Sequence, residues 1–184
     1  MLTTLDLINE MVASTGTAPL TVNDTAHPEY KKGLNKLHRV LQAVLGRGWW
    51  FNTTYRTFTP NVSDEIVVPT GALSVDPTDV SKPYVVRAGK LFNTDTASHT
   101  FTEAVEVKMV DEVTLEDCPP PMQDYIMSRC VYEYYRDADG VGPKLSEYKE
   151  QMKLAFFDVR REHLKNLDLN FFSGTSYLAQ TRRR

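Results

Sequence analysis

Apolar residues recur at helical spacing through the first 45 residues of the chain. A short helix is predicted at about residues 3 to 14, where Thr3 and Asp6 form a capping box. Pro28 opens a second helix and Gly46 ends it. Its apolar stripe has the 3-4-3 spacing of a bundle helix and consists of Leu34, Leu37, Leu41 and Val44.

From residue 52 the pattern changes to short β-branched or alternating runs divided by turn residues. Such runs are typical of strands, and AGK at 88–90 between two of them indicates a hairpin. The predicted strands are 54–59, 65–68, 84–87, 90–93 and 104–110.

Helical spacing returns after the Pro-Pro-Pro break at 119–121. A third helix is predicted at about 121 to 137, a turn at 137–143, and a fourth helix at about 143 to 168. The expected buried stripe of the fourth helix is Leu145, Tyr148, Met152, Phe156, Val159, His163 and Leu167.

This order of elements predicts an α+β fold. We expect an antiparallel helical bundle from residues 1–51 and 118–168, because the connection between the last two helices is short. A β subdomain, 52–117, is inserted between helices two and three. An extended C-terminal docking tail, 169–184, follows the bundle.

Composition excludes several classes of function. The chain has 184 residues, 41% of them hydrophobic and 24% charged, as in a globular protein that folds without disulfides or metals. The net charge of −3 gives no global attraction to nucleic acid or anionic lipid. No apolar run reaches the roughly 20 residues of a membrane span, and the N-terminus does not resemble a signal peptide. Two cysteines favour a reducing compartment.

Signatures of catalysis and metal binding are missing from the sequence. There is no G-x-S-x-G, P-loop, H-x-x-x-H or C-x-x-C pattern, so we expect no catalytic residue, cofactor or metal. Cys118, just before the proline run, is expected to be an unreactive packing residue and not a nucleophile. Two alternatives stay open, a glycan hydrolase and a DNA-contacting module that uses the C-terminal arginines.

The C-terminal tail combines large apolar side chains with cations and has no acid. Burying four large side chains gains roughly 1.5–3 kcal/mol each, so a tail of this kind is built to dock on another surface. The residues concerned are Phe171, Phe172, Tyr177, Leu178, Arg182, Arg183 and Arg184.

Both tryptophans of the chain lie in one stretch, GRGWWFN, at 46–52. Gly46 and Gly48 allow a sharp exit from the second helix. If the stretch is extended, Trp49 and Phe51 point one way and Trp50 the other, so the tryptophans do not form one stacking platform. We interpret these five residues as a subdomain junction, with Trp49 under the seam between bundle and β subdomain.

Four stretches resemble a known family in its own order. They are INEMVASTGTAPL (8–20), LNKLHRVLQAVLGRGWWFN (34–52), YVVRAGKLFN (84–93) and EDCPPPMQDYIMSRC (116–130). The most specific element is the helix followed by Arg47, Gly48, Trp49, Phe51 and Asn52. On these residues the chain resembles tail tubular protein A of short-tailed, podovirus-type bacteriophages, the head-to-tail adaptor or gatekeeper type.

The resemblance implies a structural virion protein and not an enzyme. Family members form a ring, commonly twelve-fold, between the portal protein and a nozzle of the tail tubular protein B type. The helical part and tail face the portal, the β part faces the nozzle, and viral DNA passes the channel without specific binding during ejection. No cofactor is implied. The expected location is the virion tail, after assembly in the host cytoplasm.

A closed ring of identical subunits needs two different contact faces on each chain. Helices three and four carry more aromatic residues than one bundle core uses. The candidates for the subunit interface are Tyr132, Tyr135 and Phe157.

Overall fold

The computed structural model describes residues 2–142 and 144–173, without the side chains of 139 and 168–173. It has an α+β fold of four helices and two antiparallel sheets among these residues. The elements are α1 Thr4–Ser14, α2 Pro28–Leu45, β1 Thr53–Phe58, β2 Ala72–Pro77, β3 Tyr84–Arg87, β4 Lys90–Asn93, β5 Val105–Asp111, α3 Pro120–Asp139 and α4 Leu145–Ser173.

The chain divides into two compact units. A helical unit consists of the described residues of Met1–Leu41 and Thr114–Arg184, and a β unit consists of Gln42–Val113. The last turn of α2 and the tryptophan stretch therefore group with the β unit, whereas the sequence placed the change at residue 52.

The start of the helical unit follows its sequence signals closely. The Thr3 side chain accepts from the Asp6 backbone N–H while the Asp6 carboxylate accepts from the Thr3 backbone, so the predicted capping box is confirmed. Gly33 on α2 faces Ile8 and Met11 on α1. A Cβ built on Gly33 would meet Ile8 Cγ2 at 2.9 Å, and Ile8 is completely buried. A side chain at this position would therefore force Ile8 to move within the core.

Helices α3 and α4 pack antiparallel through aromatic pairs. The Tyr125 and Phe156 rings lie 5.2 Å apart between centroids, as do the Tyr135 and Tyr148 rings. These pairs place the first residue of α3 level with about residue 162 of α4, so the end of α4 extends past α3. Leu167 is consequently 46% exposed, and its predicted place in a buried stripe is wrong.

The β unit contains a three-stranded sheet of order β1-β5-β2 and the hairpin β3–β4. The hairpin turn at 88–90 is confirmed, with Ala88 at φ 50° and Gly89 at φ 72°, the left-handed conformation that two-residue hairpin turns require. The buried core of the unit consists of Ile66, Val68, Val75, Leu91, Phe101, Val105, Val107 and Met109.

The sequence assigned one strand wrongly and missed another. Residues 65–68 make only isolated bridges, Glu65 with Thr100 and Val67 with Lys90, and Pro69 cannot donate to a longer ladder. The strand β2 was missed because Asp76 and Pro77 are residues typical of turns. Proline is tolerated at Pro77 because β2 is an edge strand of its sheet.

Filling the space at Gly33 is expected to destabilise the protein. In Gly33→Leu the new side chain has no room against Ile8, and overpacking of this kind costs about 1–3 kcal/mol. The free energy of unfolding, measured by urea denaturation, should fall by that amount. Ala43→Leu, on the exposed face of the same helix, is the control and should change it by less than about 0.5 kcal/mol. Equal effects of the two substitutions would contradict the close approach.

Candidate functional site

The tryptophan stretch begins where α2 ends. Gly48 has φ 74°, a conformation that side chains rarely adopt. A Cβ on Gly48 would lie 3.1 Å from both Thr53 Oγ1 and Val110 Cγ2. A Cβ on Gly46 would lie 2.8 Å from the carbonyl oxygen of Gln42. Both glycines are therefore needed for the chain to turn back toward β5.

The side chain of Asn52 connects the three parts of this stretch. Its amide nitrogen donates to Leu45 O at 3.1 Å and to Asp111 O at 2.9 Å, while Oδ1 accepts from the Trp49 backbone N–H at 2.8 Å. Asn52 is 1% exposed, so water does not replace these bonds. One carboxamide thus makes hydrogen bonds to backbone groups at the end of α2, in the turn and at the end of β5. Sequence reasoning noted Asn52 within the family motif but assigned it no role.

Trp49 is buried in the β unit. It is 6% exposed, and its indole Nε1–H donates to Val44 O at 2.8 Å, the last turn of α2. The ring therefore satisfies a helix-end carbonyl while it fills apolar space. Whether the stretch also orients the helical unit against the β unit stays a prediction.

The expected alternation of Trp49, Trp50 and Phe51 is wrong. Residues 49–52 form a turn, closed by a hydrogen bond from the Asn52 N–H to Trp49 O at 3.2 Å, and not an extended segment. The half-buried rings of Trp50 and Phe51 therefore contact each other edge-to-face, with centroids 5.1 Å apart. A turn allows this contact between neighbours, whereas a strand would point the rings to opposite sides.

The three candidates for the subunit interface differ in exposure. Phe157 is 59% exposed on α4. Tyr132 is half-buried, with the Arg136 guanidinium 5.8 Å from its ring centroid. Tyr135 is 4% exposed and packs against Tyr148, so it belongs to the interior of the helical unit and its expected place at a subunit interface is wrong.

Sequence reasoning missed two exposed leucines beside Phe157. Leu154 is 57% exposed and Leu164 is 49% exposed, and with Phe157 they follow the i, i+3, i+10 positions of one helix side. We call Leu154, Phe157 and Leu164 the α4 apolar row. Their spacing was visible in the sequence, but only the structure shows that their side of α4 is exposed.

The predicted docking tail is only partly described. The backbone at Phe171 and Phe172 is helical, since α4 continues to Ser173 and not to 168. Tyr177, Leu178, Arg182, Arg183 and Arg184 lie outside the described residues.

The two cysteines are buried thiols. Burial raises the pKa of Cys118 to about 12, and the thiol lies 3.3 Å from the Thr114 carbonyl to which it donates. Burial likewise raises the pKa of Cys130. Thiols held in this state are poor nucleophiles at neutral pH.

Among residues 2–142 and 144–173, no group of three or more His, Cys, Asp or Glu side chains is arranged to hold a metal. Within the same residues, no helix has the length and apolarity needed to cross a membrane.

Removing the Asn52 carboxamide should strongly destabilise the β unit. Asn52→Ala leaves the buried Trp49 N–H without its partner and removes a hydrogen bond from Leu45 O and from Asp111 O, which should lower the free energy of unfolding by about 3 kcal/mol. Asn61→Ala is the matched control, because Asn61 bonds the N–H of Ser63 and of Glu65 in an exposed turn. The control should cost about 1 kcal/mol or less, as measured by chemical denaturation. Equal losses would show that Asn52 is not the connecting residue.

Truncating Trp49 should cost more than truncating its neighbour. Trp49→Ala removes a buried ring and its bond to Val44 O, at an expected loss of roughly 3–5 kcal/mol. Trp50→Ala, at a half-buried position, should cost clearly less in the same denaturation experiment. A near-neutral Trp49→Ala would return the stretch to the status of a candidate ligand site.

Comparison with known proteins gives the family of the chain. Residues 5–165 match the family described as tail tubular protein. Tail tubular protein A of Klebsiella phage KP34 is 26% identical to this chain over 162 residues, which cover 88% of the chain and 87% of that relative. The resemblance seen in the sequence is therefore confirmed: the chain belongs to the tail tubular protein family and is a structural protein of a bacteriophage virion tail.

Proposed function

We propose that the protein is a head-to-tail adaptor, which assembles into a ring between the portal protein and the tail nozzle. Viral DNA passes through the channel of this ring during ejection. Each chain contributes a helical bundle toward the portal and an inserted β subdomain toward the nozzle protein. The role is structural, without a catalytic step or cofactor, and the ring assembles in the host cytoplasm.

The α4 apolar row is the observation that carries this proposal. Single exposed leucines are ordinary on protein surfaces, but three large apolar side chains on one side of one helix mark a contact surface. The row occupies a side of α4 that the helical unit leaves exposed, and only Leu164 lies on the part of α4 that extends past α3. A neighbouring subunit of a ring would bury it.

Ring closure also needs a second, different face on the same chain. Tyr132 on α3 is half-buried, with the Arg136 guanidinium 5.8 Å from its ring centroid. Phe157 and Tyr132 lie on different helices, so one can serve each side of a heterologous contact. The subunit number proposed is twelve.

Assembly is tested directly by mass. Light scattering or native mass spectrometry of the pure protein mixed with its portal protein should give a ring bound to the portal. Some adaptors assemble only on the portal, so a monomer alone is compatible with the proposal. A chain that stays monomeric in the presence of portal would end it.

A charge in the α4 apolar row should block assembly without unfolding the chain. Phe157→Glu places a carboxylate where an apolar contact is needed, and burial of an unpaired charge costs several kcal/mol. Ring formation should be lost while the thermal midpoint of the monomer stays within a few degrees. Val62→Glu is the control, since Val62 is fully exposed in a loop of the β unit. Rings that form equally with both variants would contradict a subunit contact through this row.

The C-terminal tail is tested by deletion. Removing 169–184 shortens α4 only where it extends past α3, so the fold should persist. Portal binding in sedimentation should be lost, because the apolar side chains of the tail are proposed to dock there. A variant with Arg182, Arg183 and Arg184 all changed to Gln should retain part of the binding. Unchanged portal binding after the deletion would refute the docking role.

A further inference from the structure

A groove lined by basic residues lies between α2 and α3 in the helical unit. Its volume is about 480 Å³, and its lining includes Lys31, Lys32, Asn35, Lys36, Arg39 and Tyr134. The sequence around it is unusual for a chain of net charge −3, because no Asp or Glu occurs from Tyr30 to Ser63. The groove is therefore locally basic in an overall acidic protein.

The acids near the groove already have partners. Asp137 accepts from Lys36 Nζ at 2.6 Å, and this hydrogen bond holds the pKa of Asp137 below its usual range. Glu133 pairs with Arg129 at 2.9 Å and lies 3.6 Å from Lys36. The remaining acid, Glu29, accepts from the Tyr134 hydroxyl and lies 3.9 Å from Lys32 Nζ. These carboxylates are occupied, and they leave part of the positive charge of the groove uncompensated.

Two cations of the groove make no ion pair among the described residues. Lys31 and Arg39 are both exposed, and Asn35 between them is exposed as well. The three residues stand at i, i+4 and i+8, so they form one ridge about 12 Å long on α2. Lys32 lies beside this ridge, with Nζ 4.5 Å from the Tyr134 ring centroid. All the side chains of the ridge can donate hydrogen bonds.

We infer that this ridge contacts the phosphate backbone of double-stranded DNA. Lys, Arg and Asn are residues that bind phosphate oxygens, and a phosphate contact needs no base sequence. A length of about 12 Å spans three to four phosphates along one strand, at about 3.4 Å of rise each. A regular row of donors on a straight helix suits a rod-like polyanion better than a short acidic peptide. The contact is weak and sequence-independent, and it differs from one through the C-terminal arginines.

This inference rests on the proposed function, because the adaptor ring is what would bring DNA to the protein. Repeated around a ring, one such ridge on each subunit would line a path with evenly spaced phosphate contacts. The contact itself belongs to the single chain, so it can be measured whether or not a ring forms.

The salt dependence of DNA binding tests the contact. Fluorescence anisotropy of a labelled duplex is measured with the full chain between about 50 and 200 mM NaCl. The plot of log K against log salt has a negative slope, and each lost phosphate contact reduces its magnitude by about 0.9. Lys31→Gln/Arg39→Gln should therefore reduce the magnitude of the slope by about 2. Lys149→Gln/Arg160→Gln removes the same charge from exposed positions of α4 and should leave the slope unchanged. Circular dichroism melting checks that both variants are folded.

Three results would overturn the inference. The slope could be the same in the groove variant as in the wild type. The control variant could lower it equally, which would indicate general charge attraction. Poly-L-glutamate could bind the wild type more tightly than the duplex does at equal charge, which would assign the groove to an acidic protein segment. If rings form as proposed while any of these is found, the DNA contact fails and the adaptor function stands.

Discussion

The turn from α2 into β1 depends on one buried carboxamide, that of Asn52. It holds the last carbonyl of α2 and the last carbonyl of β5 in one place, while its own backbone carbonyl accepts from the Asp111 N–H at 2.8 Å. This pairing sets Thr53 opposite Val110, and every later pair of β1 with β5 follows from it. A shift of one residue would turn the buried side of β5 toward water. The core of the β unit therefore depends on a polar side chain outside it.

The residues around Asn52 show why this stretch has so little freedom of composition. Gly48 is required by its left-handed conformation and by the nearby Val110 side chain. Trp49 contributes a hydrogen bond to the Val44 carbonyl at the end of α2 as well as apolar packing. Two tryptophans in a row suggested a ligand cage or a stacking platform. The geometry explains one of them as a helix-end partner and the other as an edge-to-face neighbour of Phe51.

The sequence predicted well what local chemistry decides. The capping box at Thr3, the end of α2 at Gly46 and the hairpin at Ala88 and Gly89 depend on residues close in the chain. It predicted poorly what distant contacts decide. Strand β2 carries turn-like residues and forms only because β5 offers a free edge, and Asn52 has its role only because Asp111 lies beside it. The spacing of Leu167 predicted a buried side chain, but α3 does not extend as far as Leu167 along α4. The exposed side of α4 that carries the α4 apolar row was likewise not predicted, because it depends on how α4 packs on the rest of the helical unit.

The chain belongs to the tail tubular protein family. In the proposed adaptor, α4 supplies subunit contacts, the β unit keeps a fixed strand register, and the basic ridge on α2 faces the polyanion that must pass. The central claim is the ring, and electron microscopy of the purified protein mixed with its portal tests it most directly. The account predicts portal particles that carry an added ring at the tail-facing end, with density for the helical part next to the portal. Portal particles without any added layer, at protein concentrations that saturate binding, would contradict it.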